Sequence, residues 1–294
     1  MEETPIVQYL KSWPFQGKIY YFPNPGSAGD SIIAQATFTL FKELGIDYSV
    51  IPVSQSFDPV GKTVVYGGGG NLVEYYGTAR KFIQKYHIHA KKLVILPHTI
   101  NANEDLLGEL GVNVDVICRE EVSYAHVRKF APAANVLLMD DIAFSLDMKK
   151  IARQTLIPLN RQLILFLPQD FLMTIMMTLK LLSGKILERG DLRILNAFRK
   201  DLEGTSSGFP CDNVDLSDLL SHWAPSETVT YYVTHRILRA INHFRTVRTD
   251  RLHVCIAAAK LGKTVEFYPN KYYKCEAVYQ YSMKDYYPNV HWIG

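Results

Sequence analysis

Arg248-Thr249-Asp250-Arg251-Leu252-His253 brings two permanent cations and an imidazole into one short segment. Arginine keeps its charge at any physiological pH, whereas histidine titrates near neutrality. The apolar stretch that follows, Val254-Cys255-Ile256-Ala257-Ala258-Ala259-Lys260-Leu261, reads as a helix that Gly262 stops. The charged groups therefore sit on the turn that opens a helix. Such a turn carries partial positive charge and unpaired N–H groups, which favour an anion. The chemistry available there is binding of a phosphate or carboxylate beside a proton donor. The alternative is an exposed basic helix start that makes surface ion pairs.

Other positions could take part. Gly67-Gly68-Gly69-Gly70-Asn71 follows a strand pattern, and glycine alone tolerates tight backbone angles and close approach of a ligand. The spacing matches neither the dinucleotide fingerprint nor a P-loop, so no nucleotide is inferred. The run is either a plain tight turn or a place where a ligand presses on the backbone. His98, in Leu96-Pro97-His98-Thr99, and Arg119, after Val114-Asp115-Val116-Ile117-Cys118, each follow a strand end, where α/β sheets place ligand contacts. Arg119 could equally pair with Glu120, Glu121 or Asp140. Asp30 is placed to cap a helix, a contribution of roughly 1 kcal/mol, and could also touch a ligand. His87 and His89 lack a ligand cluster and read as surface residues, and no zinc pattern is present. The absence of a G-x-S-x-G elbow weakens a hydrolase reading.

The elements that must position these residues alternate strand and helix. Strands are expected at 17–22, 48–51, 63–66, 92–96 and 114–118, with helices at 31–44 and 78–86. The second half adds a strand at 163–167, helices at 170–187 and 226–244, a Gly/Ser/Pro-rich loop at 204–210 and a strand at 264–268. Short, continuously apolar strands between helices imply a mostly parallel sheet covered on both faces. At 294 residues the chain fits about two domains, here 1–150 and 151–294, facing each other across a cleft. Composition is ordinary for a soluble globular protein, and a net charge of +3 from 32 basic and 29 acidic residues gives no electrostatic case for nucleic acid. Cys118, Cys211, Cys255 and Cys275 form no C-x-x-C pair and fit thiols in a reducing compartment. No secretion signal is expected from the opening residues, which show no basic region followed by an apolar core. The apolar run Phe171–Leu179 is cut by Lys180, well short of the roughly 20 residues that span a bilayer. The expectation is a cytoplasmic, non-integral protein.

In combination these pieces resemble the polysaccharide pyruvyl transferase family. The resemblance rests on Asn24 with Gly29-Asp30; Val65-Tyr66-Gly67-Gly68-Gly69-Gly70-Asn71; Leu96-Pro97-His98-Thr99; Arg119-Glu120 with Ser123; Asp141-Ile142-Ala143-Phe144; Arg251-Leu252-His253 through Leu261-Gly262-Lys263; and Asn270, Tyr272 and Lys274. It implies an α/β chain of two Rossmann-like domains arranged as in GT-B glycosyltransferases. It also implies transfer of a pyruvyl group from phosphoenolpyruvate to two sugar hydroxyls, with Arg119, Arg251, Leu252 and His253 lining the donor site. Two arginines suit a substrate that carries both phosphate and carboxylate. A histidine near pKa 6.5 suits the proton transfers, with His253 as principal acid/base and His98 as a second. Asp30, Gly68, Gly69, Gly70, Asn71, Asn270 and Lys274 are the further substrate-binding candidates. Neither metal nor organic cofactor is called for. The expected partners are phosphoenolpyruvate and a glycan acceptor, lipid-linked if assembly proceeds at the inner face of the membrane. One departure is that Leu167-Pro168-Gln169-Asp170 lacks the arginine that family members often place before an acidic residue after a strand. The runner-up is a GT-B glycosyltransferase using a nucleotide sugar, for which the cations around Arg251 lack the paired carboxylates. A non-catalytic sugar-binding relative is a third class.

Overall fold

A computed structural model describes residues 3–13, 17–154, 194–204, 210–219 and 226–294. The expected strand at 163–167, the helix at 170–187, the Leu167–Asp170 segment and most of the 204–210 loop lie outside these residues. The chain falls into two compact units. The first comprises Met1–Pro25, Ile33–Leu146 and Glu276–Tyr286; the second comprises Gly26–Ile32, Asp147–Cys275 and Tyr287–Gly294.

The first unit is built on strands β1 (Ile19–Phe22), β2 (Tyr48–Val50), β3 (Thr63–Tyr66), β4 (Gly69–Leu72), β5 (Lys92–Ile100), β6 (Val114–Cys118) and β7 (Asn135–Leu138). All pair in parallel, in the order β2-β1-β3-β5-β6-β7, with β4 added to β5. β3 and β6 are buried along their whole length, the burial that continuous apolar runs demand of a sheet covered on both faces. The helices are α1 (Pro5–Lys11), α2 (Ala28–Glu43, whose residues up to Ile32 belong to the second unit), α3 (Thr78–Tyr86), α4 (Glu104–Glu109) and α5 (Glu121–Phe130). The core runs through Phe22, Tyr66, Phe82, Tyr86, Ile95 and Val116. His87, expected on the surface, is instead 3% exposed. It closes α3, and burial lowers its pKa.

Three local expectations are corrected. β5 does not stop at Leu96 but continues through Pro97, so His98 and Thr99 lie inside the strand. Proline has no N–H for the ladder, and the pairing with β6 shifts register between Ile95 and His98, which absorbs the missing donor. The helix carrying Asp30 starts at Ala28 rather than Ser31, so Asp30 lies in its first turn. There its carboxylate accepts from the Ser27 N–H (2.8 Å) and hydroxyl (3.2 Å), while Gly29 N–H donates to Ser27 Oγ (3.2 Å), a reciprocal cap. Thirdly, the glycine run is not a turn throughout, because Gly69 and Gly70 open β4.

Backbone packing calls for glycine at two of these positions and backbone angle at a third. A Cβ on Gly67 would lie 2.6 Å from the Asn24 backbone nitrogen, and one on Gly68 would lie 2.8 Å from the Pro97 carbonyl oxygen. Gly69 has φ +154. Main-chain atoms cannot swing aside as a side-chain tip can, so Gly68→Ala is expected to lose about 1–3 kcal/mol by overpacking. Urea denaturation should show a lower midpoint at an unchanged slope; an unshifted midpoint refutes this account of the run.

The second unit carries β8 (Ile194–Ala197), β9 (Thr246–Thr249), β10 (Thr264–Phe267) and β11 (Val290–Trp292), parallel in the order β11-β10-β9-β8. Its helices are α6 (Met148–Arg153), α7 (Leu216–Leu219), α8 (Glu227–Asn242), α9 (Leu252–Lys260) and the first two residues of α10 (Lys274–Val278), the rest of which belongs to the first unit. Ser226 caps α8 by accepting from Val229 N–H. α9 lies on β9 and β10 and also meets α8 and α6, and its run from Val254 to Ala259 is fully or almost fully buried. Gly262, at φ +76, ends it as expected. No helix of the described residues is long and apolar enough to cross a membrane.

Candidate functional site

In a parallel sheet every strand ends at the same edge, and ligand-contacting loops collect there. β8, β9 and β10 are neighbours, so the segments following them meet. Arg251, after β9, is the N-cap residue of α9, yet its side chain makes no capping bond. Its Nε and Nη2 donate instead to the two carboxylate oxygens of Asp215, at 2.8 and 2.5 Å. Nη2 also lies 3.1 Å from Asp201 Oδ2. Asp215 is held by the backbone N–H groups of Lys200 and Asp218. Arg199, after β8, donates to both oxygens of Asp201 (2.7 and 2.9 Å) and to Glu203. Glu203 also accepts from Lys274 and, at 3.5 Å, from Asn270. Asp250 Oδ1 accepts the Arg199 N–H at 2.8 Å.

The cluster is nearly dry. Arg199, Glu203, Asp215, Asp250, Arg251, Asn270 and Lys274 are all buried. Burial would push the Asp201 carboxyl up, but the bonds from Arg199 and the charges of Arg199 and Arg251 outweigh it and hold it at about 2. Burial lowers the Lys274 ammonium against the opposing pull of Glu203. Burial also raises Asp250, to about 6, against the Arg199 N–H and the charges of Arg199 and Arg251. His253, in the first turn of α9, is half-buried. Its ring lies against Gly29, where a Cβ would come within 2.6 Å of His253 Nδ1. Leu252 is buried, so its backbone N–H at the helix start is the part suited to an anion.

The first unit gathers a second group at its own strand ends. Tyr66, ending β3, donates to Asn24 Oδ1 at 2.9 Å, and Asn71 Nδ2 donates to the same oxygen at 2.6 Å. Asn71 meets His98 Nε2 through its backbone N–H (3.2 Å) and its side-chain oxygen (3.0 Å). Asn24 follows β1 and Tyr66 ends β3, where the strand order reverses, the usual crevice of such sheets. His98 is fully buried; burial, then the charge of Arg119, holds its conjugate acid down to about 3. It is therefore neutral at physiological pH. Arg119 is 1% exposed and pairs with Asp141 at 2.7 Å, while its Nε donates to Thr99 Oγ1 at 2.8 Å. The partner is Asp141, not Glu120, Glu121 or Asp140. Glu120 instead caps α5 through Ser123, and Asp140 accepts from Ser282.

Among the expected residues, the structure thus joins Arg251, Asn270 and Lys274 into one cluster, and Asn71 with His98 into another. Asp30 is engaged with Ser27. Arg199, Asp201, Glu203, Asp215 and Asp250 went unrecognised as site residues. A local signal existed for the first three: Ile194-Leu195-Asn196-Ala197 is a short apolar run ending in Arg199, Asp201 and Glu203. Nothing local marks Asp215. Among the described residues no group of three His, Cys, Asp or Glu side chains is arranged to hold a metal ion.

Residues 28–265 match the model of a family described as Polysaccharide pyruvyl transferase. Over 151 residues the chain is 33% identical to a Bacillus subtilis (strain 168) protein provisionally named pyruvyl transferase EpsO; the match covers 45% of this chain and 46% of that protein, about half the length of each. The crystal structure of a functionally uncharacterized protein from Klebsiella pneumoniae subsp. pneumoniae NTUH-K2044 aligns over 100% of both chains, with a TM-score of 0.75 and 29% identity.

Proposed function

The chain belongs to the polysaccharide pyruvyl transferase family, and on that premise we propose that it transfers the pyruvyl group of phosphoenolpyruvate to two hydroxyls of a sugar, forming a cyclic ketal in surface-polysaccharide assembly. The observation that carries this reading is the meeting, at one edge of the second sheet, of Arg251, an α9 start without a side-chain cap, and half-buried His253. An anion is favoured there by charge and by first-turn N–H groups, with a proton carrier beside it.

The chemistry balances without an oxidant. A proton adds to C3 of the enol, leaving an oxocarbenium-like C2. One sugar hydroxyl adds to C2 and loses its proton. The second hydroxyl displaces inorganic phosphate from C2 and closes the ring, releasing a second proton. Arg251 holds a donor anion, and His253 moves a proton at C3 or at an attacking hydroxyl. Within the first unit Arg119 is the candidate for an anion and Asn71 for a polar substrate group; within the second, Asn270 and Lys274 are the polar candidates. His98, being neutral, serves by hydrogen bonding. No cofactor or metal enters the reading. The parallel sheets support Rossmann-like domains; the GT-B arrangement is what the resemblance implies. The acceptor is a glycan, lipid-linked where assembly occurs at the cytoplasmic face of a membrane.

Thermal unfolding with phosphoenolpyruvate and with UDP-sugars tests the donor. A ligand at one hundred times its Kd stabilises by about 2.7 kcal/mol. Phosphoenolpyruvate should raise the Tm and UDP-sugars should not; the reverse pattern makes the protein a nucleotide-sugar glycosyltransferase. Phosphate release across a panel of lipid-linked and nitrophenyl glycosides then identifies the acceptor.

A further inference from the structure

The second-unit cluster holds three cations, Arg199, Arg251 and Lys274, and four carboxylates, Asp201, Glu203, Asp215 and Asp250. Fully ionised, it carries one negative charge in excess. All but Asp201 are buried, so the excess carboxylate opposes, with little screening by solvent, the pull that Arg251 and the first turn of α9 exert on an arriving anion. Uptake of a proton removes that opposition.

Only one of the four carboxylates is placed to accept it. Asp201 and Asp215 each receive guanidinium bonds, and Glu203 receives bonds from Arg199 and Lys274. Asp250 receives no guanidinium or ammonium bond, only neutral backbone N–H groups, that of Arg199 at Oδ1 among them. Its Oδ2 is buried with no hydrogen-bond partner among the described residues, and the residue is 1% exposed. The groups around it come from every neighbouring element. Arg199, Asp201 and Glu203 follow β8, Arg251 begins α9, Asp215 precedes α7, and Lys274 and Cys275 begin α10, with Cys275 Sγ donating to the Asp250 carbonyl at 3.3 Å.

We propose that Asp250 takes up a proton when an anion binds at Arg251, making it the site's charge-compensating group. The inference rests on the reading of Arg251 as an anion contact. Burial already raises the Asp250 carboxyl from 3.8 to about 6. Because the folded-state pKa is the higher one, its contribution to stability is complete below 3.8 and is lost as pH rises through about 6. An anion nearby extends protonation to higher pH.

Calorimetry at pH 7 in buffers of different ionisation enthalpy counts the protons, for wild type and Asp250→Asn, with phosphoenolpyruvate and separately with sulfate. Asparagine keeps an oxygen for the Arg199 N–H. The wild type should take up as much as one proton more than the variant with either anion. Its Kd should weaken by as much as about tenfold per pH unit above 7, while the variant shows only the slope due to the ligand's own phosphate. Equal proton counts overturn the inference. Should the variant not fold, difference infrared spectroscopy of wild type labelled at aspartate reads the same event: a protonated-carboxyl band must grow on anion addition, and its absence is equally decisive. Sulfate binding without phosphoenolpyruvate binding defeats the donor reading and leaves the proton count to judge Asp250. Failure of both anions to bind removes the anion site and this inference with it.

Discussion

Arg119→Ala is expected to destabilise the protein by about 3–5 kcal/mol, the loss typical when one member of a buried ion pair is removed. Arg119 and Asp141 are each 1% exposed, so truncating the arginine strands a carboxylate out of reach of water. Asp141 then keeps the Ala143 N–H bond at 2.9 Å, and the Thr99 hydroxyl loses its donor. Neutralising the pair at similar volume should recover most of the loss, because a desolvated ion pair contributes little beyond what its own burial costs. Arg119→Met with Asp141→Asn does this and preserves an oxygen for Ala143. Urea unfolding monitored by circular dichroism compares the three proteins. A loss below 1 kcal/mol in the single variant would show that water reaches the pair. The double variant also separates the two roles of Arg119: if it folds but releases no phosphate from phosphoenolpyruvate, the arginine acts on substrate as well as on Asp141.

What could be read in advance follows the range of each signal. β3 and α3 have the bounds that apolar runs and helical spacing give locally, and β6 ends at Cys118 as expected. β5 ran past its expected end because a proline inside a strand can be tolerated where the ladder shifts register, a condition set by β6. The glycine run was visible, but its cause was not: Gly67 answers to the Asn24 backbone and Gly68 to Pro97, neighbours supplied by sheet order. The basic segment before α9 was legible for the same reason as α9 itself, a local change from charged to small apolar residues. Its environment was not. Asp215 lies 36 residues before Arg251 and meets it only because β8 and β9 are adjacent. Asp250 was in plain view beside Arg251, yet its unpartnered oxygen is a property of three loops packed together.

His253→Ala is expected to lower kcat by about 10²–10⁴-fold, the range for removal of a general acid or base, while leaving fold and donor affinity almost intact. The side chain is half-buried, so its removal opens no large cavity. Arg251 retains its bonds to Asp215 without it. Calorimetric Kd for phosphoenolpyruvate within about threefold of wild type, together with the kcat loss, is the pattern that separates chemistry from binding. A variant that turns over at more than a third of the wild-type rate removes His253 from the mechanism. Which proton it moves can be resolved in deuterated water. If His253 delivers the proton to C3, the variant loses deuterium incorporation into the pyruvyl methyl group in step with turnover, including any exchange into recovered phosphoenolpyruvate. If His253 only takes the proton from an attacking hydroxyl, exchange at C3 persists while ketal formation stops. The contact with Gly29, too close to admit a Cβ, fixes the ring beside the first turn of α2, and either role depends on that placement.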